Sequence, residues 1–232
     1  MNHMPQQSTV MVVGASRGLG LALVEEWLRR GAYVIATVRG QSEALQTLAR
    51  RFPGSLEVEA VDITKADSVK ALRSRLERRA IDVLFVNAGI ARAIEATPVG
   101  VDEQDFLDMM LTNALSPARA VELLGDLVPA NGVIAVMSSE LGSITNSAGS
   151  WQLYSSSKAA LNMLMKGFAA RRPEDPRALL VVAPGWVRTD MGGGDALLSV
   201  EESIPLVVSM VEANRGKPGL RYLDRFNKPL PW

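Results

Sequence analysis

Val10-Met-Val-Val13-Gly14-Ala-Ser-Arg17-Gly18-Leu-Gly20 joins a short apolar run to a glycine-rich turn. Beyond the turn, Leu19, Leu23 and Trp27 recur at helical spacing, with Val24 and Leu28 beside them. A glycine motif that follows a strand and opens a helix predicts a dinucleotide site rather than a plain turn. In that reading Gly14 allows the tight turn, Gly18 the close approach of a pyrophosphate, and Gly20 the packing of helix on sheet. The helix N-terminus then faces the anion. Arg29-Arg30-Gly31 closes the helix, with cations at its negative end and glycine where a left-handed cap belongs.

Working outward, apolar runs keep alternating with amphipathic stretches. Tyr33–Thr37 and Leu56–Val61 read as the second and third strands, separated by a helix from about Ser42 to Arg51 that stops at Pro53-Gly54. Thr64 with Asp67 reads as a capping box in which Asp replaces the usual acid, and Val69, Leu72 and Leu76 give the next helix its buried stripe. Asp82–Val86, Val133–Met137 and Leu179–Ala183 are near-continuous apolar runs, which suit parallel strands covered on both faces. Helical stretches fall at about 103–128, 152–171 and 200–214. The order predicts an α/β fold, a Rossmann-type doubly wound parallel sheet of about seven strands with helices on both faces. Residues 1–8 read as a flexible polar leader and 9–232 as a single domain.

Composition excludes several chemistries. Hydrophobic residues make up 47% and charged residues 22%, with 25 basic and 25 acidic side chains, so the net charge is zero. That balance offers no electrostatic case for nucleic acid or an anionic membrane. There is no cysteine, which removes thiolate catalysis and cysteine metal sites. The one histidine, His3, lies in the leader, so neither a histidine base nor a histidine metal site is expected in the folded body. The leader lacks the basic and apolar regions of a signal peptide, and no apolar run approaches spanning length; a cytoplasmic protein is expected. Acid–base work then falls to Tyr, Lys, Asp or Glu.

Tyr154 and Lys158 stand four residues apart, on one face of a predicted helix. A free phenol titrates near 10, and a neighbouring ammonium is expected to lower it toward the working range. Three further features raise this pair above accident. Ser138-Ser139 ends the fifth apolar run and Asn87-Ala88-Gly89 the fourth, both at the carboxyl edge where ligands bind in open α/β sheets. Asn113 interrupts an otherwise apolar helical stretch.

In this conjunction and order, the chain resembles the short-chain dehydrogenase/reductase family across nearly its whole length. The matching positions are the glycine loop, Asp62, Asn87-Ala88-Gly89, Asn113, Ser139, Tyr154, Lys158 and Pro184-Gly185. Within the family, Ala36-Thr-Val-Arg39, Pro184-Gly-Trp-Val-Arg-Thr-Asp-Met-Gly192 and the terminal Pro231-Trp232 resemble C-factor and sniffer-type carbonyl reductases. The resemblance implies an oxidoreductase acting on a small-molecule carbonyl or alcohol. Tyr154 would trade a proton with the substrate oxygen and Ser139 would hydrogen-bond it. Ser139 is preferred over Ser138 because Ser139-x-x-Gly142 matches the family spacing. Lys158 would assist Tyr154 and hold the nicotinamide ribose, and Asn113 would steady a water in a proton relay. Coenzyme contacts would come from Gly14, Ser16, Arg17, Gly18, Leu19, Gly20, Arg39, Asp62, Ile63, Asn87, Ala88, Gly89, Tyr154, Lys158, Pro184, Gly185, Val187 and Thr189. For Asp62, contact with adenine and a local turn beside Thr64 are equal alternatives. Assembly as a homodimer or homotetramer is also implied.

Charge selects the dinucleotide. NAD sites carry an acid near the end of the second strand, about 20 residues beyond the glycines. Here that stretch is Thr37-Val38-Arg39-Gly40, and Arg17 can approach the same point. Two guanidiniums on a 2′-phosphate, at roughly 1.5–3 kcal/mol per charged hydrogen bond, predict NADP(H) by ten-fold or more.

Against the family pattern, Val13 stands where Thr or Ser is usual, costing a side-chain hydrogen bond between neighbouring turns, and Val86 replaces the first asparagine of Asn-Asn-Ala-Gly. The segment 140–153 is slightly long. Residues 192–200, with the triple glycine as hinge, read as a mobile flap, Trp151 and Trp186 as candidate pocket walls, and Arg92 and Glu95 as solvated. Two other functions are carried along: a non-catalytic NADP(H)-binding regulator, and an epimerase or dehydratase, which generally needs a longer chain.

Overall fold

The computed structural model describes residues 7–232. Seven strands form one sheet: β1 (Thr9–Val13), β2 (Tyr33–Val38), β3 (Leu56–Ala60), β4 (Val83–Val86), β5 (Val133–Met137), β6 (Ala178–Ala183) and β7 (Gly219–Asp224). Their order is β3-β2-β1-β4-β5-β6-β7 and every pairing is parallel. The order reverses between β1 and β4, so their carboxyl ends open the crevice in which such sheets bind ligands.

Alternation along the strands explains the near-continuous apolar runs. Val10 and Val12 face a layer built from α1 (Gly18–Arg29), α2 (Glu43–Arg51) and α7 (Val200–Ala213). Met11 and Val13 face the other layer, from α3 (Ala66–Arg75), α5 (Ser116–Leu124) and α6 (Gln152–Ala170). Both faces are covered, so both sets of side chains must be apolar. The buried Trp27 of α1 meets Phe85 of β4 edge to face, with centroids 5.8 Å apart. No helix among the described residues is long and apolar enough to cross a membrane.

Several expectations are corrected. His3 and most of the leader lie outside the described residues, but Gln7 and Ser8 are tied down: the Ser8 carbonyl accepts from Tyr33 N at 2.9 Å, and Gln7 Nε2 donates to the Gly31 carbonyl. β7 had no counterpart among the apolar runs, because Gly219 and Arg221 dilute an edge strand. Thr64 does not cap α3. Its amide and hydroxyl both donate to Asp62 Oδ1, at 3.0 and 2.6 Å, and Lys65 precedes the helix without a side-chain cap.

The stretch 103–128 is not one regular helix either. α4 (Glu103–Met110) passes through a π-turn, Leu111–Leu115, before α5 begins, and a 3₁₀ turn, Gly125–Leu127, ends it. A π-turn is one residue too long for the regular ladder, and such bulges gather at functional sites. Asn113 lies in its middle.

Candidate active site

At the carboxyl edge lies a cleft of about 1050 Å³, walled by the turns after β1, β2, β4, β5 and β6. Its coenzyme end is built from backbone. Gly14 has φ +88°, and a β-carbon there would lie 2.7 Å from Ala88. On Gly20 a β-carbon would fall 2.1 Å from the Gly14 carbonyl, which already accepts Asn87 Nδ2 at 2.8 Å. The turn is thus locked to the end of β4. Thr37 Oγ1 accepts from Gly14 N at 3.1 Å, so a buried strand hydroxyl ties the turn to its neighbour despite Val13.

Helix α1 begins at Gly18 with no side-chain cap and no acid in its first turn, which leaves its first amides free for an anion. Across the cleft, a β-carbon on Gly18 would meet only the Thr189 side chain, at 3.8 Å. Uncapped donors and a clear approach at Gly18 are what a dinucleotide pyrophosphate requires. The residues present fit that group.

Ser16, Arg17, Leu19, Arg39, Ile63, Asn87, Ala88, Gly89, Pro184, Gly185, Val187 and Thr189 all line the cleft. Asp62 does not. Its Oδ1 accepts from the Thr64 amide and hydroxyl, and the carboxyl is held below the usual range chiefly by the Thr64 side chain. Arg39 is exposed at the rim. Arg17 reaches over the cleft to Asp190, with Nη1 to Oδ2 at 2.8 Å and both side chains about three-quarters exposed. That carboxylate competes for one of the two guanidiniums.

The reaction end is built from buried polar side chains. Tyr154 and Lys158 of α6 and Ser138-Ser139 after β5 all border the cleft. Ser138 Oγ donates to Asn162 Oδ1 at 2.7 Å, whereas Ser139 Oγ accepts from Leu141 N at 3.2 Å and keeps its own proton to give. Lys158 Nζ donates to the Met137 carbonyl at 2.9 Å and lies 5.6 Å from the Tyr154 ring centre. Asn113 is fully buried behind the wall. Its amide pairs with both backbone groups of Ile90 at 2.8 Å, like a short piece of strand, and also donates to Ser157 Oγ at 3.0 Å. A β-carbon on Gly89 would lie 3.3 Å from Asn113 Oδ1 and 3.5 Å from Lys158 Nζ, so the two groups converge there.

The expected electrostatics of the pair are reversed here. Burial pushes the Tyr154 phenol up to about 12, with Ser139 pulling the other way and Tyr222 adding to the rise. Burial alone takes the Lys158 ammonium down to about 8. Both shifts have one cause, the loss of water around a charge. Lys158 gives a proton to a carbonyl rather than to the phenol oxygen, and its charge does not offset that loss.

Trp151 and Trp186 both reach the cleft wall. Trp151 is in a left-handed conformation, φ +48°, and its ring meets Tyr154 edge to face at 5.7 Å. Arg92 is on the wall as well, tied to Asp105 and Asp108 of α4 at 3.2 and 2.6 Å. The segment 192–200 is stitched down. Val187 bridges Leu198, Arg188 Nη1 donates to the Ala196 carbonyl at 2.9 Å, and Trp186 Nε1 donates to the Gly192 carbonyl at 2.8 Å. A β-carbon on Gly192 would fall 2.0 Å from the Val187 carbonyl, so this glycine makes a tight packing turn, whereas β-carbons on Gly193 and Gly194 would meet nothing within 4 Å.

Residues 8–196 match the family model described as short chain dehydrogenase. The chain belongs to this family. Among solved structures, a short-chain dehydrogenase/reductase from Burkholderia multivorans with bound NADP is 48% identical, with 97% of this chain and 100% of that one covered and a TM-score of 0.95. A carbonyl reductase from Pseudomonas aeruginosa PAO1 in complex with NADP is 40% identical, over 98% and 100% of the two chains, with a TM-score of 0.90. The carbonyl reductase Sniffer of Drosophila melanogaster is 28% identical, over 98% and 100%, with a TM-score of 0.86. The chain is thus a short-chain dehydrogenase with a Rossmann-type fold and clear similarity to carbonyl reductases.

Proposed function

We propose that this short-chain dehydrogenase is an NADP(H)-dependent oxidoreductase acting between a carbonyl and its alcohol, with Tyr154 as the general acid or base. One observation carries the reading: Tyr154, Ser139 and Lys158 open on the same cleft as the uncapped amides of the glycine turn. When bound, the dinucleotide supplies or takes up the hydride. Arg39 and Arg17 support NADP(H) over NAD(H), as do the NADP-bound neighbours.

In the reductive direction Tyr154 gives its proton to the substrate oxygen. A phenol pushed up to about 12 arrives protonated, which is the form this step consumes. Ser139 donates a hydrogen bond from its hydroxyl to the same oxygen, keeping its proton, and holds that oxygen beside the phenol. Lys158, shifted to about 8, is still mostly an ammonium at pH 7, and in this reading it holds the nicotinamide ribose beside Tyr154. Asn113 fixes Ile90 on the facing wall and, in this reading, steadies a water in a proton relay. Trp151, Trp186, Leu141 and Met191 give the substrate's outer side an apolar wall.

The test is a panel of ketones, aldehydes, quinones and oxoacyl compounds with NADPH, followed by loss of reduced-nicotinamide absorbance. On any substrate found, Tyr154→Phe should lose about 10²–10⁴-fold in kcat with NADPH affinity unchanged. A Tyr154→Phe variant that turns over like the parent would refute the assignment.

A further inference from the structure

Tyr222 of β7 lies outside the cleft and is 2% exposed, yet its hydroxyl donates to the carbonyl oxygen of Ser139. That carbonyl also accepts from Gly142 N at 2.9 Å. We propose that Tyr222 is a positioning residue, whose hydroxyl fixes the Ser139 peptide so that the Ser139 side chain keeps its aim at the substrate oxygen beside Tyr154. The inference rests on the reading of Ser139 as the hydrogen-bond donor to substrate.

The local backbone explains why such a brace is needed. β5 ends at Met137, and the chain turns into a 3₁₀ turn at Glu140–Gly142, so Ser139 sits at the first residue freed from regular pairing on either side. From α6, Asn162 holds this corner at two points, accepting from Ser138 Oγ and donating to the Gly142 carbonyl at 3.1 Å. Neither of those bonds touches Ser139 itself. Tyr222 supplies the contact from the opposite side, and it is the side-chain donor to that peptide.

Tyr222 is itself braced. Its ring lies against Trp232, with centroids 5.4 Å apart and planes at 36°. The Trp232 carbonyl accepts from Thr145 N and Oγ1 at 3.1 and 2.9 Å, and Leu230 N bonds back to the Tyr222 carbonyl at 2.9 Å. Lys166 Nζ lies 4.8 Å from the centre of the Trp232 ring. A hydroxyl held on so fixed a ring defines the position of its acceptor.

Tyr222→Phe removes the hydroxyl and keeps the ring and its packing. A small misplacement of a reacting group is costly, so we expect kcat to fall about 10-fold while NADPH affinity stays within about two-fold of the parent. Amide hydrogen exchange across 141–143 should quicken. In a Ser139→Ala background, the same substitution should cause no further loss, because the group it positions is gone. Parental kcat and exchange in Tyr222→Phe would overturn the proposal, as would an undiminished 10-fold loss on top of Ser139→Ala. Tyr154→Phe run alongside separates the two failures: turnover surviving there sinks the proposed chemistry, whereas the exchange data judge the hold on Ser139 independently.

Discussion

The two ends of the cleft solve opposite problems with opposite materials. At the coenzyme end, rigid backbone supplies the donors and exposed arginines supply the charge. At the reaction end Tyr154, Lys158, Asn113, Ser138, Ser157 and Asn162 are buried or nearly so, and all but Tyr154 hydrogen-bond a partner from another element. Charge at an exposed rim is cheap to place and weak in effect, while a titratable group without water is costly and acts strongly. Changes at the first end should therefore shift affinity, and changes at the second should shift turnover and stability together.

Lys158→Met tests the contrast hardest. We expect kcat for reduction to fall 10²-fold or more while the protein becomes more stable. The folded-state ammonium titrates at about 8 against an ordinary 10.5, a burial cost of roughly 3 kcal/mol. Below pH 8 both folded and unfolded forms of the parent carry the proton and the cost is complete. Between about 8 and 10.5 the folded form sheds it first, so parental stability climbs and the variant's advantage fades. Thermal melts across that range should show a gain of roughly 5–10 °C at pH 7 that shrinks as pH rises. A variant less stable than the parent at pH 7 would contradict the burial argument.

Arg39→Asp probes the other end. NADPH should bind about 10-fold or more weakly and the preference over NADH should narrow, with kcat at saturating coenzyme close to parental. Titration by nicotinamide fluorescence checks it; an unchanged ratio of the two affinities would place the 2′-phosphate elsewhere. The smallest effect belongs to Asp190→Asn. Arg17 then loses its competing carboxylate, and NADPH should bind roughly two- to five-fold more tightly, less so at high salt, as befits an exposed pair.

Legibility in the sequence divided along the same line. The six apolar runs, the glycine turn and the bare end of β2 are local patterns, and the structure reproduces them. Ser139 and Tyr154 were reachable because spacing and strand ends identify them. β7 was not, since an edge strand need not be uniformly apolar. The reversal of the Tyr154 shift was also out of reach, because spacing shows that Lys158 is near but not that Met137 receives its proton or how little water remains. Thr64 and Asp67 had the letters of a cap, and a closer acceptor at Asp62 won. Tyr222 carried no motif at all. Its one available signal was an aromatic in a strand opposite Val181, which is what a core residue also looks like.

The π-turn at Leu111–Leu115 has a consequence for the whole helical layer. One surplus residue rotates everything after it by about 100° around the axis. Before the turn, Met109 packs in the small cluster beside Tyr154 and Leu153; after it, Ala120, Val121 and Leu124 pack on the sheet. A single continuous cylinder thereby serves the substrate chamber with its first half and the interior with its second. Excising one residue from that turn would mend the ladder and aim α5 at the wrong neighbours.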